Sequence, residues 1–582
     1  MPYLAFVSTR SVVKSSSISP GEEITLPFAR PENAGESAIF EGVIRIPPLA
    51  SSDIDIVPDD CLTSLEIAGE SLPLTQWGRA TCDWNKGVHV DLRNWRGSGL
   101  GWSEIPFTVS VNNNGGSMGL RVRSSRSATL LSLPFLVPLL VALMALAAIL
   151  LRKGLSAGVS AMIIFGLILR WAYLVSTNFQ ERAHDVAAHI SYIQHLSAQG
   201  TLPSIASGWA FFQPPLYYAL MALVHRMGGE GEATYLVMQL CSLLCSGVLL
   251  VAGAVLFQRV FPRGNLSVLL IALLAAWPAL IIHSVRISND PLLHCLSAVG
   301  LVLLLRWYDL RQRRDLYVVA ILAGLAVLTK ANGITLFASL ITIYLSAELS
   351  SRSYPTWGAR VGLLKRTALL SLPFAAASLV TFGRGVLAHL SDPKVDWLVG
   401  QAFNWMNNRL LVSNTPFEYF YFDLQTFLKV PFLNPWLDES GRQFFWNYVL
   451  KSSLFGEFSF AFRGASTLAL VLSALVVAIV LYVVLYVMTL RKADFRRVLP
   501  YLLALGIQIG FLLLFRIGTP VSGNADFRYV APLLLPLFVL FGLSLKSLME
   551  HDRFVLARLG SAAALLLVGC SGVFFLLLIA GS

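Results

Sequence analysis

A series of long apolar runs, beginning near residue 130 and continuing almost to the end, restricts this chain more than any other feature. About twelve of them approach the length a helix needs to cross a bilayer. They lie at residues 130–151, 156–176, 234–257, 265–282, 291–307, 315–330, 333–348, 366–384, 466–489, 498–516, 529–547 and 559–579. Only 13% of the 582 residues are charged, against about a quarter in a soluble domain, so lipid is the solvent for most of the chain. The net charge of +11 does not imply nucleic acid, because the cations sit in short clusters between the apolar runs. These are Arg152/Lys153, Arg259/Arg263, RWYDLRQRR, SRSYPTWGARVGLLKR, RKADFRR and KSLMEHDRFVLAR. If the spans alternate, all six share one side, which the positive-inside rule makes cytoplasmic. RVRSSR, before the first span, falls on the other.

Residues 1–125 read as a separate domain. Short alternating runs such as IFEGVIRIP, SLEIAGESL, GVHVDL and IPFTVSV, parted by Gly, Pro, Asn and Asp, are the pattern of an all-β sandwich. Residues 126–155 then form a tethering span, and 156–582 a helical membrane domain. Trp77, Trp84, Trp95 and Trp102 either fill the core of the β domain or offer platforms for sugar rings. Cys61 and Cys82 can form a disulfide if this domain faces an oxidising compartment. Cys241, Cys245, Cys295 and Cys570 lie in apolar segments and read as small core residues. MPYLAFVSTRSVVKSS is too short and polar for a signal peptide, so export of the domain would rest on the downstream spans. The N-x-S/T acceptor, Asn265-Leu-Ser267, falls on the cytoplasmic side, which favours a bacterial inner membrane over a glycosylated lumenal one.

The non-cytoplasmic side collects the β domain, extracytoplasmic loops at about 177–233 and 385–465, HSVRISND, Lys330 and RIGTPVSGNADFRYV. Asp185 and His189 are four apart and share a helix face with Tyr192. They belong either to a wet amphipathic helix or to a site at the membrane boundary. The GTLP turn and QPPLYY, with Gln213, Tyr217 and Tyr218, favour a folded re-entrant platform. Asp290 is either a helix start before Pro291 or a hard oxygen ligand for a divalent cation, with Arg286 and Asn289 beside it. Lys330 either snorkels or anchors an anionic headgroup. Arg528, at the mouth of a span, suits phosphate through its two-pronged fork. The sequence has no P-loop or HExxH pattern to support another enzyme class.

Asp185 followed by H..Y and then QPPLYY, with the later ND, LTK and RY, resembles membrane glycosyltransferases of the GT-C fold. The similarity is greatest to the protein O-mannosyltransferase and lipid A aminoarabinose transferase branch, and it covers about residues 155–545. PDDCLTSLEIAGESL, CDWNKGVHVDL and IPFTVSVNNNGGSMGL loosely resemble galactose-binding-like jelly-roll domains. The chain departs from many relatives by having Val186 where they carry a second acid after the first. The GT-C resemblance implies an inverting transfer of a sugar from an undecaprenyl-phosphate carrier to a glycan, lipid or protein hydroxyl on the periplasmic face. The implied roles are Asp185 as base and Lys330, Arg528 and Arg286 around the lipid phosphate. His184, His189, Tyr192, Gln213, Tyr217, Tyr218 and Asn289 would position sugar or acceptor. Asp290 and His189 would hold a divalent cation (Mg2+, Mn2+ or Ca2+). The Trp- and Phe-rich 385–465 loop would cover the cavity. Two other readings remain open: a transporter or flippase of lipid-linked sugars, and a glycan-binding membrane scaffold.

Overall fold

The structure, a computed structural model, describes residues 6–11, 23–24, 28–32, 36–46, 53–58, 60–82, 87–96, 103–113, 116–124, 133–262, 264–351, 356–396 and 410–580. Its contacts divide the chain into two units, Met1–Ala148 and Ile149–Ser582.

The first unit holds ten strands among the described residues: β1 Phe6–Ser11, β2 Glu23–Ile24, β3 Phe28–Glu32, β4 Ser37–Ile46, β5 Asp53–Pro58, β6 Cys61–Ile67, β7 Glu70–Ser71, β8 Val88–Asp91, β9 Ser103–Asn112 and β10 Gly116–Ser124. They form two antiparallel sheets, ordered β2-β1-β4-β9-β6-β7 and β3-β10-β5-β8. In β9, Ile105, Phe107, Val109 and Val111 are buried in alternation. This is the period of two that gives a strand one apolar face. Those residues meet Phe40 and Ile44 of β4, Ile54 and Ile56 of β5 and Val88 and Val90 of β8 in one core, so the two sheets form a sandwich. Trp77 and Trp95 pack against that core, and the Trp77 indole N–H donates to the His89 carbonyl at 2.9 Å. Both are filling side chains rather than open sugar platforms, whereas Trp84 and Trp102 lie outside the described residues. Cys61 and Cys82 are joined in a disulfide.

The remaining elements are helical: α1 Leu133–Arg152, α2 Ala157–Val175, α3 Val186–Gln199, α4 Leu216–Gly228, α5 Glu232–Val260, α6 Leu266–Ala276, α7 Pro278–His283, α8 Asp290–Leu310, α9 Arg313–Thr329, α10 Ile334–Ser351, α11 Trp357–Ser391, α12 Pro416–Phe420, α13 Leu424–Lys429, α14 Phe445–Phe455, α15 Ala465–Met488, α16 Lys492–Gly518, α17 Leu534–Glu550 and α18 Phe554–Ala580. Each of the apolar runs read from the sequence coincides with one of these helices, except 265–282, which is split. Nine helices among the described residues are long and apolar enough to cross a membrane. α6, α9 and the Leu136–Arg152 part of α1 are shorter. The chain is a multi-pass membrane protein. Its outward-facing Leu379, Leu390 and Leu514 are more than 70% exposed, which suits lipid and not water.

Two local breaks aim side chains at one end of the bundle. Pro278 excludes Trp277 from the helical region, as proline does to its predecessor. Trp277 is extended, α6 ends, and α7 starts with Pro278 in its first turn. The second break is TKANG. Lys330 is extended (φ −159°, ψ 143°) between α9 and a 3-10 turn at Ala331–Gly333. A Cβ on Gly333 would lie 2.3 Å from the Ala326 carbonyl carbon, so only glycine lets the chain double back there. Gly333→Ala is therefore expected to cost about 1–3 kcal/mol through overpacking, measured as a lower midpoint of thermal unfolding in detergent. Gly383→Ala, where an added Cβ meets nothing within 4 Å, should leave the midpoint unchanged.

Candidate active site

Several junctions of the helical unit carry side chains that meet one another. α3 and α4 form a re-entrant pair whose buried Tyr192, Ile193, Tyr217 and Tyr218 pack with Met238 of α5 and Ile287. Tyr192 stacks on Tyr218 at 4.1 Å, and His189 Nδ1 bonds the Tyr218 hydroxyl at 2.8 Å. Arg384 of α11 clamps the pair: its guanidinium donates to the carbonyls of Pro203 (2.8 Å) and Phe211 (3.0 Å) and to the Tyr192 hydroxyl (3.2 Å). Gln213 Oε1 accepts from Asn289 Nδ2 at 3.2 Å. His189, Tyr192, Tyr217 and Tyr218 are thus platform residues. Burial, and Lys330 after it, push the His189 pKa down to about 3, so its imidazole is neutral.

Asp185 stands where this platform begins, at the start of α3. It is exposed and adopts the left-handed conformation (φ 54°, ψ 25°), and its carboxylate makes no capping hydrogen bond. Aspartate enters that region more readily than most residues, and strain of this kind collects at functional positions. Asp185 and Asp290 both lie within electrostatic reach of Tyr218, whose phenol burial pushes well above its usual range.

Beside it lies a buried charge cluster. Lys330 donates to Asp290 at 2.5 Å and lies over the Tyr529 ring at 5.0 Å. Arg528 faces Asp526 at 3.2 Å, and its hydrogen bond to the Tyr529 hydroxyl is 3.2 Å. The Arg528 carbonyl accepts from His294 Nε2 at 2.6 Å, which fixes that ring nitrogen as the protonated one. The Asp526 carboxylate caps the Phe527–Tyr529 turn by accepting from the Arg528 backbone N–H at 3.0 Å, and the Phe527 N–H donates to Ser452 Oγ at 3.0 Å. Arg286 is 3% exposed. Its Nη1 donates to His283 Nδ1 at 2.9 Å, whereas its Nε and Nη2 have no hydrogen-bond partner. Burial lowers its pKa to about 10, so it stays charged. Arg528 is held well above its usual value; burial opposes this, and Tyr529, Asp526 and Asp290 outweigh it.

The sequence reading missed two carboxylates, Asp526 and Glu457. Glu457 follows α14 with its side chain 10% exposed, 3.4 Å from His184 Nε2, and it accepts from the Tyr448 hydroxyl. Burial, then Asp526, push its carboxyl up to about 7. Burial, then Arg528 and Arg286, drive the His184 pKa well below its usual value. His184, Glu457 and Asp526 offer ligand atoms within 4.8 Å of one another. The expected cation pair of Asp290 and His189 is not gathered in this way, because the Asp290 carboxylate is taken by Lys330 and the His189 ring by Tyr218. The 385–465 loop also differs from a simple cover. Its buried α14 is a wall of the site and carries Glu457 and Phe458 into it. DWLVGQAFNW lies almost wholly outside the described residues. GEFSF and NADFRY were the signals for Glu457 and Asp526, but a carboxylate in an aromatic run does not announce its partner.

The cluster defines a multi-pass membrane protein whose bundle ends in a buried, cation-rich site. Residues 212–379 match the family model described as dolichyl-phosphate-mannose-protein mannosyltransferase, and the likeness is confined to that stretch. It contains Gln213, Arg286, Asp290 and Lys330. No curated protein matches the chain. Among solved structures, the crystal structure of ArnT from Cupriavidus metallidurans bound to undecaprenyl phosphate is similar at 16% identity. The likeness covers 72% of this chain and 76% of that one, with a TM-score of 0.42.

Proposed function

We propose that this membrane glycosyltransferase moves a sugar from a polyprenyl-phosphate donor to an acceptor hydroxyl by one inverting displacement. The carrying observation is the imbalance of the buried cluster. Lys330 and Arg528 have carboxylate partners, whereas Arg286 keeps two buried donors unpartnered. A buried guanidinium without its hydrogen bonds is costly, and a phosphate oxygen is the group its fork fits. Asp185 takes the proton of the acceptor hydroxyl, and that oxygen attacks the anomeric carbon. The bond from sugar to phosphate oxygen breaks, and the phosphate leaves with the electron pair, held by Arg286 with Lys330 and Arg528. The leaving group is already a stable anion, so a general acid is not needed and fixed positive charge does the work.

His184, Glu457 and Asp526 suit a divalent cation better than the pair read from the sequence. His184 Nε2 and Asp526 Oδ2 are buried without a hydrogen-bond partner, with Arg528 Nε 3.2 Å from that Oδ2 as an ion-pair neighbour, and imidazole nitrogen and carboxylate oxygen are both donors that divalent metals accept. Such an ion would add positive charge beside the phosphate. A chelator is then expected to lower transfer at least tenfold in wild type, with Mn2+ restoring it. His184→Ala should raise the Mn2+ concentration needed about tenfold or more, read by metal titration of both binding and activity. An activity indifferent to chelator would remove the cation from this reading.

The basic junctions oppose the site along the chain, which supports an inner-membrane location with the site on the periplasmic face. The Cys61–Cys82 disulfide supports the same side for the β-sandwich. The test is a transfer assay with purified full-length protein, undecaprenyl-phospho-sugars and envelope acceptors, in which polyprenyl phosphate accumulates only when sugar leaves it.

A further inference from the structure

Tyr173, in the last turn of α2, is 1% exposed, and its hydroxyl lies against Thr177 and Arg182 without a well-formed hydrogen bond to either. A buried phenol O–H left this way carries a desolvation cost that a ligand oxygen would remove. Thr177 and Arg182 lie beside it and Arg286 is within electrostatic reach. Arg182 Nη1 donates to Thr177 Oγ1 at 3.1 Å, and its nearest carboxylate, Glu181, is a loose 3.6 Å away. Its guanidinium lies over Phe460 at 4.7 Å while that of Arg286 lies over Phe458 at 5.5 Å. Two guanidiniums therefore rest on rings two residues apart in the loop that follows α14. Arg182 also holds a left-handed backbone (φ 49°), which a long side chain adopts only under constraint.

We propose that Tyr173, Arg182 and Arg286 form a second oxyanion subsite, so that the bound substrates carry a further phosphate or carboxylate next to the donor phosphate. This rests on the reading that Arg286 holds that phosphate. The ligand chemistry follows from the donors: two forks and a phenol match the oxygens of a phosphate or carboxylate, and an anion between two like charges relieves their repulsion. The second oxyanion belongs either to the donor, as a diphosphate linkage, or to the acceptor.

The test uses the full-length protein in detergent, titrated with farnesyl monophosphate, farnesyl diphosphate, and glucose 6-phosphate with and without saturating farnesyl monophosphate. Wild type is expected to bind the diphosphate at least tenfold tighter than the monophosphate. Arg182→Gln should erase that preference, and Tyr173→Phe, which deletes only the hydroxyl, should reduce it several-fold with the fold intact. If wild type treats the two lipids alike but binds glucose 6-phosphate only beside the monophosphate, and Arg182→Gln abolishes this, the oxyanion is the acceptor's and the subsite stands. If Arg182→Gln and Tyr173→Phe change neither comparison, the subsite is refuted. Arg286→Gln separates the two readings, because monophosphate binding unchanged by it refutes the donor site whatever Arg182 does.

Discussion

Asp185→Asn leaves the protein folded and able to bind polyprenyl-phospho-sugar, and lowers the turnover number by about 10²–10⁴-fold, the range of a positioned general base. Asparagine keeps the shape of aspartate and tolerates the same left-handed backbone, so the start of α3 should survive the change. What disappears is the basic carboxylate to which the proposed reaction assigns the acceptor proton. The carboxylate is exposed at the start of α3 and makes no capping hydrogen bond, so no helix cap is lost with it. The effect should fall on the turnover number with the donor dissociation constant within a few-fold of wild type, read by single-turnover kinetics beside equilibrium binding. A parallel collapse of donor binding would assign Asp185 to holding the lipid instead.

Arg286→Gln is expected to act on binding and chemistry together. Arg286 is fixed from three sides: Nη1 to His283 Nδ1, the Phe458 ring under the guanidinium, and its backbone carbonyl accepting from Ser242 Oγ at 2.6 Å. Charge grows on the phosphate as the sugar departs, so a cation held there stabilises the transition state more than the ground state. Removal of one such preorganised donor lowers turnover by about 10²–10³, and donor affinity should fall as well, because glutamine brings no charge. Arg286→Lys should recover only part of the activity, since an ammonium lacks the fork. Equal activity of Lys and Arg at this position would place the phosphate elsewhere, with Lys330 or Arg528 carrying it.

Much of the frame was legible because it follows from solvent. Twelve apolar runs, six basic junctions and the alternating strands of residues 1–125 are each a local pattern, and the helices and sandwich fall where those patterns lie. The split of 265–282 was legible in principle too, since Pro278 excludes the preceding residue from the helical region. The partners of the site were not. Lys330 and Asp290 are forty residues apart, His184 and Glu457 far more, and no periodicity links them. Charge alone suggested that Lys330 and Arg528 wait for phosphate, yet each has its own carboxylate. Arg286, which the sequence placed only beside Asp290 and Asn289, has two buried donors without a hydrogen-bond partner. Glu457 was hidden for the same reason: a glutamate between phenylalanines reads as a wet loop residue until Tyr448 and His184 close over it.

Native mass spectrometry of the purified wild-type protein, incubated with undecaprenyl-phospho-sugars and mixed cell-envelope acceptors, tests the central claim most directly. The account predicts that the bound lipid loses the mass of its sugar and appears as undecaprenyl phosphate while an acceptor gains that mass. Lipid that binds and leaves intact across the whole panel would contradict it, and would leave a carrier of lipid-linked sugars as the better description.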